Sequence, residues 1–259
     1  MAESKTVLVT GGTGRLGRAL VPRLLDAGHR VRVLTRKTRE PAAQEWVTGD
    51  LRTRGGPVDA VAGVDTIVHL ATTNGKGDVA ATGNLIEAAR EAGAPHLVYV
   101  SIVGIENVEF GYYRAKLACE HLVEESGLPW TILRTTQFHD LVTAICEAQR
   151  LSPVTIVPAG MSVQPIDVTE VADRLVTIVA GPAVHRASDL GGPQVRDLAG
   201  LARTYHRAIG RRRLVCPVRL PGKVFRDYRA GNHLAPDHAV GRITFDEFLG
   251  GRPARAGDR

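Results

Sequence analysis

The sequence predicts an α/β fold: a doubly wound parallel sheet. Short apolar runs, typical of buried strands, alternate with longer segments in which apolar residues recur every three or four positions. The first pair is a strand at Val7-Leu8-Val9, followed by a helix with Leu16, Leu20 and Leu24 on one face. Such alternation indicates β-α-β units, whose strands run parallel because each crossover returns the chain to the same edge of the sheet.

Three glycines separate the first strand from the first helix, in the spacing G-x-x-G-x-x-G. A strand, a glycine turn and a helix in this order form a site for a dinucleotide pyrophosphate. The first glycine allows a tight turn, the second lets N–H groups approach phosphate, and the third lets the helix pack close to the sheet. A tight turn without a ligand is the alternative. The predicted cofactor contacts in this segment are Gly11, Thr13, Gly14, Arg15, Leu16 and Gly17.

The second predicted strand, residues 30–34, ends just before Arg36 and Lys37. In a dinucleotide fold this position meets the adenosine ribose. A carboxylate here would accept hydrogen bonds from the ribose hydroxyls of NAD, whereas arginine and lysine pair with a 2′-phosphate. The sequence therefore predicts NADP(H) in preference to NAD(H). Arg15 is either a second contact to the same phosphate or an exposed residue at the helix start.

The next two strands supply further predicted contacts. Residues 46–51 indicate a short strand that ends in an acid, and Asp50 is expected either to bind the adenine amino group, with Leu51 against the ring, or to cap a helix. His69 lies within the following strand, residues 66–70, and is predicted to be a hydrogen-bonded core histidine. Small residues after it would let the cofactor lie against backbone, so the site extends to Leu70, Ala71 and Thr72.

The fifth strand and the helix after it carry the predicted chemistry. Ser101 ends the strand, and Tyr112 and Lys116 lie four residues apart on a helix, so both project from one face. A phenol with a pKa of about 10 is a poor proton shuttle at neutral pH. We therefore expect Lys116 to lower the pKa of Tyr112 and to hold the nicotinamide ribose, with Ser101 binding a substrate oxygen. On its own, the Tyr-x-x-x-Lys spacing is common on amphipathic helices.

These motifs resemble the short-chain dehydrogenase/reductases, and more narrowly their atypical, NmrA-like branch. The resemblance rests on residues 10–17, 68–71, 112–116 and 129–134. It implies a Rossmann domain with a small C-terminal substrate-binding region. By the same resemblance, the catalytic triad is Ser101, Tyr112 and Lys116, and the segment that passes the nicotinamide contains Thr135, Gln137 and Phe138.

The predicted domain boundary follows residue 182. Residues 1–182 form the expected NAD(P)-binding Rossmann domain, residues 183–250 a small substrate or lid region, and residues 251–259 a disordered tail. Residues 195–209 predict one helix and residues 217–222 a loop. The aromatic residues of the lid region are expected either to line an apolar pocket or to pack in the core; they are Tyr205, Phe225, Tyr228 and Phe245.

The composition favours a cytoplasmic globular protein. Apolar residues make up 44% of the chain and charged residues 23%, and no apolar run is long enough for a bilayer span. The net charge of +6 comes mainly from scattered arginines, so we expect neither a nucleic-acid nor a membrane partner. Both a monomer and a homodimer remain open. The spacing of Cys119, Cys146 and Cys216 predicts reduced, buried thiols and no metal site.

The predicted function is that of an NADP(H)-dependent oxidoreductase acting on a carbonyl or alcohol group of a small, fairly apolar substrate. Two features depart from extended relatives: Asp78 stands where they carry Asn, and the link from Ser101 to Tyr112 is short. One alternative is an NmrA-like redox sensor that binds NADP(H) without turnover. Another is an epimerase, dehydratase or cyclase that uses the bound cofactor transiently or as a scaffold.

Overall fold

A computed structural model describes residues 3–53, 55–75 and 77–251. The chain forms two compact units whose segments interleave along the sequence. The first contains the residues up to Ser101 together with Phe110–Arg134 and Val168–Ser188, and the second contains Ile102–Glu109, Thr135–Asp167 and the residues from Asp189 onward. This division differs from the predicted boundary after residue 182. Residues 252–259, which make up most of the predicted tail, lie outside the described residues.

The strands follow the predicted alternation with helices. In chain order they are β1 (Thr6–Thr10), β2 (Arg30–Thr35), β3 (Glu45–Thr48), β4 (Thr66–His69), β5 (His96–Ile102), β6 (Trp130–Thr135), β7 (Val154–Pro158), β8 (Ser162–Val163), β9 (His185–Arg186), β10 (Arg196–Asp197) and β11 (Leu214–Val218). The central sheet has seven strands in the order β3-β2-β1-β4-β5-β6-β9. Its strands run parallel, which confirms the predicted α/β fold class.

Helices of the first unit cover both faces of this sheet, and the second unit has helices of its own. They are α1 (Arg15–Asp26), α2 (Val58–Val61), α3 (Gly77–Glu91), α4 (Gly111–Glu124), α5 (His139–Ala148), α6 (Val168–Ala180), α7 (Leu198–Ala208), α8 (Lys223–Arg229) and α9 (Phe245–Gly250), with a 3-10 turn at Pro236–His238. In the first unit α1 packs on α6, and α3 on α4. The chain leaves β1 in opposite directions toward β2 and toward β4 and β5. Because crossovers between parallel strands are right-handed as a rule, the two helix pairs are expected on opposite faces. Within the described part of the chain, no helix is long and apolar enough to cross a membrane.

The sequence of α1 explains why the helix lies so close to the loop before it. Gly11 has φ +69°, and a Cβ there would lie 2.7 Å from the Ala71 nitrogen. A Cβ on Gly17 would lie 2.4 Å from both the Gly11 oxygen and the Gly12 Cα. The third glycine of the motif therefore makes its close contact with the turn itself, whereas the sequence analysis expected it against the sheet.

The core of the first unit fills the space between the central strands and the pair formed by α3 and α4. Tyr99 on β5 is among its largest fully buried side chains. The thiol of Cys119 on α4 is free and buried in the same cluster. Cys146 in the second unit is also free and buried, whereas Cys216 is partly exposed. Burial is therefore confirmed for two of the three thiols.

The second unit has a core of its own, in which α7 packs against β7, β11 and α5. Strand β7 pairs with β11 in parallel, and β8 pairs with β10 in antiparallel orientation. Two predictions were wrong in extent. The helix expected over 195–209 begins at Leu198, because Asp197 caps it by accepting a 2.8 Å hydrogen bond from the Gly200 nitrogen. The loop expected over 217–222 begins after Val218, which still pairs with β7.

The four aromatic residues of the predicted lid region differ in burial. Tyr205 and Phe245 belong to the core of the second unit. Phe225 and Tyr228, on α8, are partly exposed. Core packing therefore accounts for the first two, and a pocket-lining role remains a prediction for the second two.

We expect Gly17→Ala to lower the free energy of unfolding by about 1–3 kcal/mol, because the new methyl group overlaps backbone that cannot move aside cheaply. Gly83→Ala is the matched control: it also lies inside a helix, but no atom lies within 4 Å of the added Cβ. This change should stabilise the protein by about 0.5–1 kcal/mol. Thermal and denaturant unfolding measure both effects, and equal stability of the two variants would contradict the close approach at Gly17.

Candidate cofactor and active site

A cavity of about 660 Å³ opens in the first unit, at the carboxyl ends of the central strands. It lies where the strand order reverses between β1 and β4, the position at which open α/β sheets bind ligands. Ten of the predicted cofactor residues line it: Gly11, Thr13, Gly14, Arg36, Lys37, Asp50, Leu51, Leu70, Ala71 and Thr72. Arg15, Leu16 and Gly17 form the first turn of α1 behind the loop.

The glycine loop presents an open helix end to the cavity. Gly14 is the N-cap residue of α1 and has extended backbone angles, with no side-chain hydrogen bond capping the helix. The Gly14 nitrogen donates to the Gly11 oxygen over 2.9 Å, which closes the turn. The first turn of α1 carries no acidic residue. Uncapped N–H groups and the positive end of the helix dipole favour an anion, so the loop fits a pyrophosphate.

Basic side chains surround the β2 and β3 end of the cavity. Arg36 and Lys37 follow β2 and are exposed, and the Lys37 nitrogen donates to the Thr35 hydroxyl over 3.3 Å, which shapes this turn. Two cations that the sequence analysis did not select, Arg39 and Arg52, also line the cavity. Such a cluster fits a phosphate group beyond the pyrophosphate.

Asp50 already has a cationic partner in the structure. Arg52 donates to both carboxylate oxygens, with an Nη2–Oδ2 distance of 2.7 Å, and its backbone nitrogen donates to Oδ1 over 3.0 Å. The side-chain and backbone hydrogen bonds from Arg52 lower the pKa of Asp50 to about 2. The Asp50 side chain therefore forms a local turn with Arg52. The helix-cap alternative was wrong, because the next helix begins at Val58 with Pro57 as its N-cap residue.

Asp78 organises the loop that follows β4. Its buried carboxylate accepts hydrogen bonds from the Thr72 hydroxyl (2.6 Å) and the Thr73 hydroxyl (2.7 Å), and from the Thr73 nitrogen. Thr72, Thr73 and Asp78 all line the cavity. The residue that departs from the extended relatives therefore fixes the backbone and hydroxyl groups of this cavity wall.

His69 is a core residue, as the sequence analysis expected. Its Nδ1 lies 2.7 Å from the Thr10 hydroxyl and its Nε2 3.1 Å from the Thr82 hydroxyl. Burial lowers its pKa to about 3, with a further contribution from the charge of Lys116. The ring is therefore neutral at physiological pH, with both nitrogens in hydrogen-bonding contact.

Tyr112 lies beside the cavity wall. Its side chain is partly buried and lies close enough to Thr72 for that side chain to influence its pKa. Burial raises its pKa; the contact with Thr72 opposes this effect, and the charge of Asp78 adds to it. The Tyr-x-x-x-Lys spacing predicts that Lys116 lowers this pKa. That expectation was wrong, because desolvation of the phenol dominates.

Lys116 is directed toward β5. Its Nζ donates to the Val100 oxygen over 2.6 Å and lies 4.1 Å from the centre of the Tyr99 ring. Burial lowers its pKa to about 8, and Asp78 and other nearby acidic groups partly offset this effect. The ammonium group is therefore held by a backbone carbonyl and an aromatic face.

Ser101 faces α4 near the Glu120 carboxylate. Its hydroxyl is close enough to favour the charged form of Glu120, yet it forms no well-aligned hydrogen bond within the described part of the chain. Arg134 binds Glu120 through two hydrogen bonds, of 3.0 Å and 2.6 Å, and Arg186 adds a third of 3.0 Å. Ser101 is thus enclosed by the protein, while Tyr112 is in contact with the cavity wall.

The three predicted residues at the end of β6 and just after it, Thr135, Gln137 and Phe138, belong to the second unit. Thr135 forms an isolated bridge to Leu190. The Gln137 oxygen accepts a 2.8 Å hydrogen bond from the Ile166 nitrogen, and its side-chain amide has no partner in the described residues. Phe138 is the N-cap residue of α5. Contact of these residues with the nicotinamide stays a prediction.

Comparison with known proteins identifies a family that binds the kind of ligand this cavity fits. The sequence profile of a family described as NAD(P)H-binding matches residues 11–181. The chain belongs to this NAD(P)H-binding family. The predicted resemblance to atypical, NmrA-like short-chain dehydrogenase/reductases is confirmed, and so is a nicotinamide dinucleotide as the cofactor.

Similar proteins within this fold have several activities. A (4-alkanoyl-5-oxo-2,5-dihydrofuran-3-yl)methyl phosphate reductase of Streptomyces griseus is 30% identical over 79% of this chain and 74% of that protein. The structure of an NADPH-dependent quinone oxidoreductase of Escherichia coli has a TM-score of 0.78 at 18% identity, over 94% of this chain and 98% of that one. A nucleoside-diphosphate-sugar epimerase of Staphylococcus aureus has a TM-score of 0.78 at 17% identity, over 94% and 99%.

Other curated relatives are longer than this chain. It spans 19% of an uncharacterized Mycobacterium tuberculosis protein and 46% of a photosystem II assembly factor of Cyanophora paradoxa.

The cavity also contains residues that were not predicted from the sequence. Arg39 and Arg52 could have been found, because both follow strands predicted to end at the adenosine site. The role of Glu120 could not have been found in this way, because it depends on Arg134 and Arg186, which are distant in sequence.

The Glu120 cluster generates a pH prediction. Burial alone would raise the pKa of Glu120, but Arg134, Ser101 and Arg186 together lower it below the ordinary value of 4.5. Its stabilising contribution is therefore present above that value and is lost as the pH falls through the lower pKa of the folded state. We expect Glu120→Gln to lower the free energy of unfolding at neutral pH by about 1.5–3 kcal/mol. Below the ordinary pKa of Glu120, the free energy of unfolding of this variant should fall less steeply with decreasing pH than that of the wild type.

Thermal unfolding across the acid range measures both effects. Glu124→Gln is the control, because Glu124 bonds Arg186 at a more exposed position and should cost less than about 1 kcal/mol. Parallel acid unfolding curves for the wild type and Glu120→Gln would exclude a stabilising charge at Glu120.

Proposed function

We propose that this protein is an NADP(H)-dependent oxidoreductase that acts on a carbonyl or alcohol group of a small, fairly apolar substrate. The observation that supports this most directly is the position of Thr72. It lines the cofactor cavity and lies close enough to Tyr112 to influence the pKa of the phenol, so the phenolic proton lies next to that cavity. Bound NADPH would supply the hydride for reduction of the carbonyl. The cytoplasm is the proposed compartment, consistent with the free thiols of Cys119 and Cys146.

The state of Tyr112 favours reduction over oxidation in this proposal. Because burial raises its pKa, the phenol keeps its proton at neutral pH and can donate it to an oxygen that gains negative charge. Oxidation of an alcohol would instead need the phenolate, which burial disfavours. The names of two similar proteins, a reductase of Streptomyces griseus and a quinone oxidoreductase of Escherichia coli, agree with this direction.

The preference for NADP(H) rests on the basic residues of the cavity. Arg36, Lys37, Arg39 and Arg52 line its β2 and β3 end, and the acidic Asp50 is neutralised by its pairing with Arg52. A 2′-phosphate would gain charge-assisted hydrogen bonds here, whereas a ribose hydroxyl would gain little from cations.

A second function, that of a redox sensor that binds NADP(H) without turnover, is supported by one observation. Ser101 is enclosed near Glu120, and the Lys116 ammonium is bonded to the Val100 oxygen. With both groups engaged, Tyr112 alone contacts the cavity wall. A sensor should bind NADP⁺ and NADPH with different affinities, which calorimetry measures, and should reduce no carbonyl or quinone in a substrate panel.

Replacement of the phenol tests the oxidoreductase proposal. We expect Tyr112→Phe to lower kcat about 10²- to 10⁴-fold on a quinone or ketone that the wild type reduces, because the proton donor is lost. NADPH affinity, measured by fluorescence, should stay within about twofold, since this hydroxyl adds only a neutral hydrogen bond. Tyr113→Phe, which alters the neighbouring buried tyrosine, is the control and should retain activity. Unchanged turnover in Tyr112→Phe would refute the assigned role.

Neutralising the basic end of the cavity tests the cofactor preference. We expect Arg36→Gln combined with Lys37→Gln to weaken NADPH binding roughly 10- to 100-fold, because two charge-assisted contacts to the 2′-phosphate are lost. NADH binding should change little. The control is Arg30→Gln, which removes an exposed charge at the opposite end of β2. Equal losses for NADPH and NADH would contradict recognition of the 2′-phosphate.

A further inference from the structure

Tyr99 has contacts that core packing alone does not require. It lies on β5, two residues before Ser101, so both side chains project from the same face of the sheet toward α4. Its ring is buried and lies 5.6 Å from the ring of His69. Its hydroxyl lies near the thiol of Cys119 on α4. The ring is therefore held by β4 and by α4.

The Lys116 ammonium lies over this ring. The distance from Nζ to the ring centre is 4.1 Å, within the range at which an aromatic face attracts a cation. Its hydrogen bond to the Val100 oxygen draws it toward the same strand. No carboxylate is bonded to Nζ in the described residues, so the ring replaces the usual anionic partner. Desolvated cation–π contacts of this kind are stronger than exposed ones.

We propose that Tyr99 is a positioning residue of the active site, whose ring face holds the Lys116 ammonium against the Val100 carbonyl on the helix face that carries Tyr112. This inference rests on the proposed function for its catalytic meaning, but the contact itself is independent of turnover. One turn of α4 separates Tyr112 from Lys116, so the contact fixes where the ammonium lies on the helix face that carries the phenol.

Several other groups act on Lys116 from the elements around it, and the test must separate them from Tyr99. They are His69 of β4, Asp78 of α3, and Cys119 and Glu120 of α4. His69 is neutral, so the acidic groups are the ones that favour the ammonium. Because Lys116 titrates at about 8, a modest change in its surroundings alters its charge near neutral pH.

Lysine NMR tests the contact directly. The chain has only five lysines, at positions 5, 37, 76, 116 and 223, so ¹³Cε and ¹⁵Nζ signals of the labelled full-length protein are few, and Lys116→Arg assigns the one of interest. Tyr99→Phe keeps the ring face and should leave the pKa of Lys116 within about 0.3 of the wild type. Tyr99→Leu keeps an apolar side chain without a ring and should lower it by about 0.5–1.

Controls separate this effect from loss of stability. Phe245→Leu removes a buried ring of the second unit and should not change the Lys116 titration. An unchanged Lys116 pKa in Tyr99→Leu, with the variant folded by circular dichroism, would overturn the proposal. An equal shift in Tyr99→Phe and Tyr99→Leu would also overturn it, since the hydroxyl contact with Cys119 would then be responsible. If Tyr99→Leu does not fold, Tyr99→Met supplies the same test.

Turnover distinguishes this role from the proposed function. If the wild type reduces a carbonyl, the upper pH limit of kcat should fall in Tyr99→Leu in step with the Lys116 pKa, and Tyr99→Phe should restore it. A lowered Lys116 pKa with no turnover in any protein would refute the oxidoreductase and leave the cation–π contact intact. Turnover with an unchanged pH profile in Tyr99→Leu, despite a lowered Lys116 pKa, would leave the oxidoreductase intact and refute the positioning role of Tyr99.

Discussion

The close approach of α1 to the glycine loop is the constraint on which the site depends. Side chains are excluded at Gly11, Gly12 and Gly17 by neighbouring atoms within 3 Å. Because these three positions carry no side chain, the uncapped start of α1 can lie at the point where the strand order reverses. The positive end of the helix, the strand ends and the basic turn after β2 then surround one cavity. The NAD(P)H-binding character follows from this packing, because a dinucleotide needs both an anion site and an open strand edge.

Buried polar groups determine which parts of the site are fixed before any ligand binds. Asp78 takes its hydrogen bonds from Thr72 and Thr73, and Glu120 takes its own from Arg134 and Arg186. Each carboxylate is compensated where it lies, as burial of a charge requires. The first therefore shapes the cavity wall, and the second fixes the surroundings of Ser101. Both carboxylates hold the groups around them in fixed orientations, so the site is largely preorganised.

Sequence reasoning succeeded where a local pattern dictates structure. The run at β1, the glycine turn and the periodic leucines of α1 each fix their own geometry, and together they identify the fold and the cofactor site. It failed where the outcome depends on burial. Tyr-x-x-x-Lys spacing gives a shared helix face, but the partners of Lys116 and the raised pKa of Tyr112 depend on how α4 packs on β5. Arg39 and Arg52 can be read from the sequence as basic residues after β2 and β3, but only the folded turns show that they line the cavity.

Thr72 connects the cofactor site to the candidate proton donor. Its hydroxyl donates to Asp78, accepts a 3.0 Å hydrogen bond from the Asn74 nitrogen and lies close to Tyr112. A hydroxyl has one proton and two lone pairs, so with its proton held by Asp78 the Thr72 oxygen has one lone pair left. A donor on a ligand that contacts this wall therefore competes with the Tyr112 hydroxyl for that lone pair. The cavity wall and the candidate proton donor meet at a single hydroxyl group.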